Sequence, residues 1–159
     1  MASIDVSTHV SCPPRRVRAL LLDRRFLQSF VDEQHPTSCD IAIDSKEQFS
    51  EATWDVVLPS DVPSIVKKLV GGEFTLRLWI HLKGEGRLEV DAAAKGSGRL
   101  RAALTLQEQD EGTFVRVQGT VEVNAGLVSG QAANLARDQV IKPVLNEDLF
   151  RLLQEWCSG

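Results

Sequence analysis

The residue types best able to serve as nucleophiles, bases or metal ligands in this 159-residue chain are three histidines and three cysteines, and their spacing does not gather them. His9, His35 and His81 share no HExxH pattern and no Cys/His ligand spacing. A metal site would need distant residues to meet through folding, so no metal is expected. His9 and Cys12 could be drawn as a base and its nucleophile. Yet His9 falls on the polar parity of an alternating run and Cys12 stands beside Pro13 at its end, which reads as a surface histidine and a small buried thiol. Cys12, Cys39 and Cys157 are odd in number, far apart and in no CxxC spacing. That pattern suits a reducing compartment better than a disulfide scaffold, and a cytoplasmic location is the expectation. Gly84-Glu85-Gly86 and Gly96-Ser97-Gly98 begin like a dinucleotide fingerprint, but each lacks the third glycine and stands between strands, so both read as hairpin turns. General acid-base catalysis needs a titratable group inside the fold, and the positions that alternation turns inward are nearly free of acids and bases, Thr8 being the inward polar residue. No catalytic residue and no cofactor is assigned.

Charge narrows the classes further. Lys plus Arg is 18 and Asp plus Glu is 22, and a net charge of −4 argues against nucleic-acid binding while favouring solubility. Arg15, Arg16, Arg18, Arg24 and Arg25 crowd one short stretch that could attract an anionic surface or simply form a solvated outer face beside Asp23 and Asp32. Trp79 and His81 share the outward parity of their strand with Arg77, a candidate partner patch or an ordinary exposed aromatic. The N-terminus has no basic segment followed by an apolar one, and no membrane span is expected.

The elements that must position these residues follow from periodicity. Ile4, Val6, Thr8 and Val10 alternate with polar residues as a strand does. Pro13 and Pro14 can open a helix carrying Val17, Leu20 and Leu21, and Asp23 can cap a second one with Phe26, Leu27 and Phe30 inward. From residue 39 to 123 six alternating strands separated by turn residues read as an antiparallel meander with one wet face. Within it, LPSDVPSIVKKLVGGEF predicts a short amphipathic helix, as a lid or a plain connector. Gly119, at the inward parity of a valine strand, predicts a bend or close approach. Leu127 to Trp156 predicts a long helix interrupted by Pro143, with a kink or split near Gln139 to Lys142. Its apolar stripe runs through Val128, Ala132, Leu135 and Ala136 before the proline and through Ile141, Leu145, Leu149, Leu152, Leu153 and Trp156 after it. Asp138 with Lys142 and Glu147 with Arg151 are expected ion pairs on its wet side. Small residues in its first half leave volume against the sheet, either filled by Trp54, Phe74 and Leu76 or left open. The expected fold is therefore α+β: one domain over residues 1–159, a curved seven-stranded antiparallel sheet with two short N-terminal helices, and a long kinked C-terminal helix covering its apolar face.

That order of elements resembles the START-like, or SRPBCC, superfamily with its helix-grip fold. The stretches VPSIVKKLVGGEF and VEVNAGLVSGQAANL and the closing LLQEW are similar to a bacterial family of uncharacterised START-related domains. The resemblance implies a curved sheet gripping the last helix around an apolar cavity, and no particular reaction. The glycine-rich loop of the plant pathogenesis-related members is replaced here by DSKEQF after Ile43. The expected function is binding, sequestration or transport of an apolar small molecule or lipid, with Trp54, Leu76, Leu78, Leu104, Val117, Ala132 and Leu135 as candidate lining. Two other readings stand beside it. One is a cyclase or aromatase such as some superfamily members are, which would need polar residues inside. The other is a filled domain that works through its surface.

Overall fold

The computed structural model describes residues 1–57, 73–94 and 97–158. Seven strands form one antiparallel sheet: β1 (Ala2–Val10), β2 (Ser38–Asp44), β3 (Phe49–Val57), β4 (Glu73–Gly84), β5 (Arg87–Ala94), β6 (Gly98–Gln109) and β7 (Gly112–Val123). Their order is β1-β7-β6-β5-β4-β3-β2, so consecutive strands β2 to β7 meander and β1 closes onto β7. Alternation explains the two faces: Ala52, Trp54 and Val56 are buried on β3 while Glu51, Thr53 and Asp55 between them are not. The β6–β7 hairpin turns on Asp110 and Glu111, both at positive φ (50° and 62°), the mirror-image turn whose twist matches that of the strands. Gly119 faces the backbone of β6 so closely that a Cβ there would lie 2.1 Å from the Arg101 carbonyl oxygen, which is the close approach its place among valines predicts.

Two short helices connect β1 to β2. Pro14 opens α1 (Pro14–Leu21), which buries Val17, Leu20 and Leu21. The Asp23 carboxylate caps α2 (Arg24–Asp32) by accepting the Arg25 and Phe26 N–H groups at 2.8 and 3.2 Å. Past β7, a 3₁₀ turn (Gly126–Val128) leads into α3 (Ser129–Ala136), and α4 (Phe150–Ser158) ends the described chain. Between them the backbone stays helical but widens into two π-helical stretches, Arg137–Ile141 and Val144–Leu149, one on each side of Pro143. The break expected from the proline is thus taken up over both flanking turns, where a wider turn tolerates its missing N–H and its ring.

Several local expectations change. The helix begins at Ser129 rather than Leu127, so Leu127 and Val128 precede it and are exposed. Its buried face before the proline is Ala132 and Ala133 with Ala136 at the edge of the core, and Leu135 stands roughly 100° from the centre of that face. Asp138 does pair with Lys142, at 3.7 Å. Arg151 instead donates to the Glu147 carbonyl and pairs through its guanidinium with Glu33 and Glu155. Thr8 is not the sole inward polar residue: Ser50 and Thr113 are buried, donating to the Leu21 carbonyl at 3.0 Å and the Cys12 carbonyl at 2.7 Å. Each hydroxyl is thereby spent on backbone, which is why two polar side chains can stand inside.

The cysteine reading is overturned more fully. A disulfide joins Cys12 to Cys157, whose Cα atoms are 5.3 Å apart although 145 residues separate them in sequence; Cys39 is free and exposed. The fold brings the end of β1 beside the last turn of α4, a proximity that spacing along the chain does not encode. The inference from unpaired cysteines to a reducing compartment loses its basis. Among the described residues no helix is long and apolar enough to cross a membrane. The helix predicted within residues 58–72, with Leu58, lies outside the described residues.

Candidate ligand-binding site

The inner face of the sheet is roofed from two sides. α2 packs on β2 and β3, α3 packs on β7 and β1, and α4 packs on β1 and α1. The last turn of the C-terminal helix is clasped to the end of β1 by the disulfide and by Gln154 hydrogen bonding with Ser11, and to α2 by Trp156 set edge-on to Phe26 at 5.6 Å.

Register places the inward side chains in rows that run across the strands. One row, Val6–Val117–Leu104–Leu88, lies near the clasped end, and Val117, Leu104 and Leu88 in it are almost wholly buried. Farther along, Gly119 lies beside Ala102, and two further alanines lie beside leucines, Ala92 beside Leu78 and Ala94 beside Leu76. There Leu76, Leu78, Ala92, Ala102 and Val123 stay half-buried against the core, and so do Ala136, Ile141 and Val144 from the C-terminal helix. Apolar surface on both the sheet and the C-terminal helix is thus left partly uncovered.

The sequence-derived lining divides across this boundary. Leu76 and Leu78 belong to the half-open strip, and Leu135 is half-buried on the flank of α3. Leu104, Val117 and Ala132 are each 1% exposed, packed against their neighbours. Trp54 is 6% exposed, set edge-on to Phe30 at 6.3 Å, and its indole N–H has no hydrogen-bond partner among the described residues. Nothing is described of the Phe74 side chain. Ala92, Ala102, Val123, Ala136, Ile141 and Val144 escape a reading by parity alone. Ala102 looks like ordinary core until the register sets it beside Gly119.

Titratable groups stand elsewhere. His9 lies on the outer face and bonds the Gln109 carbonyl at 2.8 Å, and His35 is exposed in the loop after α2. His81 is outward too, in a trio with Trp79 (5.1 Å) and Phe49 (6.4 Å). Among the described residues no three or more His, Cys, Asp or Glu stand together as a metal would need. The outer face is laced with charge pairs: Asp5 with Arg116, Glu51 with Arg77, and Asp91 with Arg99. The Arg116 guanidinium holds the Asp5 carboxyl below the usual carboxylate range, and hydroxyls of Thr75 and Ser38 do the same for Asp55. Two shallow grooves of about 250 and 350 Å³ flank Trp79 on this face. Arg77, Asp91, Arg87 and Glu89 line them, so an apolar guest there would have to desolvate charges.

A family model described as "Protein of unknown function (DUF2505)" matches residues 5–157. The chain belongs to that family. A comparison with curated proteins finds no match. Solved structures with similar folds include the Zhui aromatase/cyclase from a Streptomyces species, with a TM-score of 0.66 and 17% identity over 97% of this chain and 92% of that one. A START superfamily protein from Mycobacterium smegmatis has a TM-score of 0.62 and 13% identity over 98% of this chain and 97% of that one. A Thermus thermophilus protein has a TM-score of 0.62 and 16% identity over 99% and 97%. At such identities the likeness is one of fold: this family member has the START-like architecture of an antiparallel sheet and a long kinked C-terminal helix.

Proposed function

We propose that the protein holds an apolar small molecule or lipid between the inner face of its sheet and its C-terminal helix, sequestering or carrying it. The observation that supports this reading is the half-buried apolar surface of Leu76, Leu78, Ala92 and Ala102 on the sheet and of Ala136, Ile141 and Val144 on the C-terminal helix. Apolar surface left uncovered beside a closed core is what a guest can cover at about 25 cal/mol for each Å² removed from water. START-like relatives whose folds match over nearly the whole chain add to it. An aromatase/cyclase-like reaction would call for a titratable group on the same face. Among the described inner-face positions of the sheet Glu108, opposite Thr113, is the one carboxylate, and it stands exposed near the end of β6, while Ser50 and Thr113 are spent on backbone carbonyls.

Native mass spectrometry of the purified chain tests the proposal, together with displacement of a fluorescent apolar probe by long-chain fatty acids. The expected result is a mass adduct that organic extraction removes, and probe binding that depends on Leu78. A chain that carries no adduct and binds no probe would overturn it.

A further inference from the structure

The arginines Arg15, Arg16, Arg18, Arg24 and Arg25 fall on α1 and the first residues of α2, and all but the half-buried Arg18 are exposed. Two make backbone contacts: Arg18 donates to the Glu85 carbonyl and Arg24 to the Ile41 carbonyl. Among the described residues none of the five is paired with a carboxylate, whereas Arg77, Arg99 and Arg116 on the outer face of the sheet each are. Asp23, the acid between the two helices, is engaged in capping α2. Like charges left together without counter-charges cost self-repulsion, and a fold concerned only with stability would disperse or pair them.

Geometry adds an apolar component. Arg15, Arg18, Ala19 and Leu22 follow i, i+3, i+4, i+7 spacing and form one wall of a groove of about 320 Å³. Ile43 and Leu82 supply apolar surface on the far side. Leu22, Ile43 and Leu82 are half-buried and Ala19 is exposed, so an apolar floor lies beneath a guanidinium rim. Asp44 is the opposing charge, and it is drawn into its own turn by accepting the N–H groups of Lys46 and Glu47, both at 3.0 Å. Guanidinium groups fit phosphate, and the floor fits the glycerol and first methylenes beneath a phosphate.

We propose that this face is a docking surface for an anionic phospholipid bilayer. The chain as a whole is acidic, at −4, so its field turns the arginine face toward a negative membrane and the rest away from it. The proposal stands apart from the ligand reading, because vesicle binding requires no guest in the fold and ligand carriage requires no vesicle.

Sedimentation of the full chain with vesicles tests it, comparing equimolar phosphatidylglycerol and phosphatidylcholine with phosphatidylcholine alone at rising ionic strength. Binding is expected only to the anionic vesicles and is expected to weaken as salt rises. Each charge removed should lower partitioning about fivefold, so Arg15→Gln with Arg16→Gln should lower it roughly 25-fold. Both side chains are exposed, and circular dichroism will show the fold retained. Ala19→Glu, which places a carboxylate in the groove, should lower it too, while Arg99→Gln on the paired outer face should leave it unchanged. Absence of anionic-vesicle binding, equal binding to phosphatidylcholine, or an unaffected double variant would overturn the proposal. So would release by inorganic phosphate well beyond that by chloride of equal ionic strength, which would point to a soluble anion instead.

Discussion

Within one face of one sheet, two regions only a few residues apart are built differently. Toward the clasped end, Leu88, Leu104, Val115 and Val117 on the strands meet Val17, Leu20, Leu21 and Leu153 from the helices, and each is at most 2% exposed. Toward the middle, Leu76, Leu78, Ala92 and Ala102 on the strands stay half-buried, as do Ala136, Ile141 and Val144 on the C-terminal helix. The backbone pairing is continuous through both. Side-chain size differs between them: bulky aliphatics pack at one end, while the other carries Gly119 beside Ala102, and Ala92 and Ala94 beside leucines.

This contrast predicts unequal responses to the same truncation. Leu104→Ala removes side-chain volume from a closed region and should destabilise by about 2–5 kcal/mol in chemical denaturation. Leu78→Ala removes as many atoms from the half-open strip and should cost less than about half as much, because part of that surface is already hydrated. Equal losses would erase the distinction between the regions. The disulfide clasp belongs to the closed end, and replacing Cys12 and Cys157 by serine should cost roughly 2–5 kcal/mol. Thiol titration in denaturant should find one free thiol before reduction and three after, the first being Cys39. Filling the strip sharpens the contrast in the other direction. Ala102→Leu should keep unfolding stability within about 1.5 kcal/mol yet weaken binding of an apolar probe about tenfold or more. A variant that binds the probe unchanged would place the guest elsewhere.

The smallest effect concerns the outer face. Asp5 is held below the usual carboxylate range by Arg116, and Asp55 by Thr75 and Ser38. A carboxyl whose folded pKa is lowered adds stability above its unfolded pKa and loses it as pH falls through the folded value. Acid titration of the wild type should therefore show a slight loss of stability below the usual carboxylate range. Asp55→Asn should flatten that slope slightly while leaving probe binding untouched.

Much of the framework was legible because burial is periodic. Two proline-opened and aspartate-capped helices, seven strands with one wet face and a C-terminal helix disturbed at Pro143 all follow from local spacing. The site was legible only in outline. Parity placed Leu76 and Leu104 alike on the inner face, and nothing local separates them; register and the path of the helix leave one half-open and the other 1% exposed. The same limit hid the bond between Cys12 and Cys157, because its partners meet only when the last helical turn comes down beside the end of the first strand. Ser50 was hidden by a strand boundary: β3 begins at Phe49, ahead of the apolar alternation that marks it.

By itself, the sequence determined which side of each element is oily and where the chain must turn, since those are properties of neighbours along the backbone. Tertiary structure alone decided which oily positions were left uncovered, which cysteines met and which arginines stand without a carboxylate among the described residues. Those outcomes depend on distances between residues that the chain order keeps far apart.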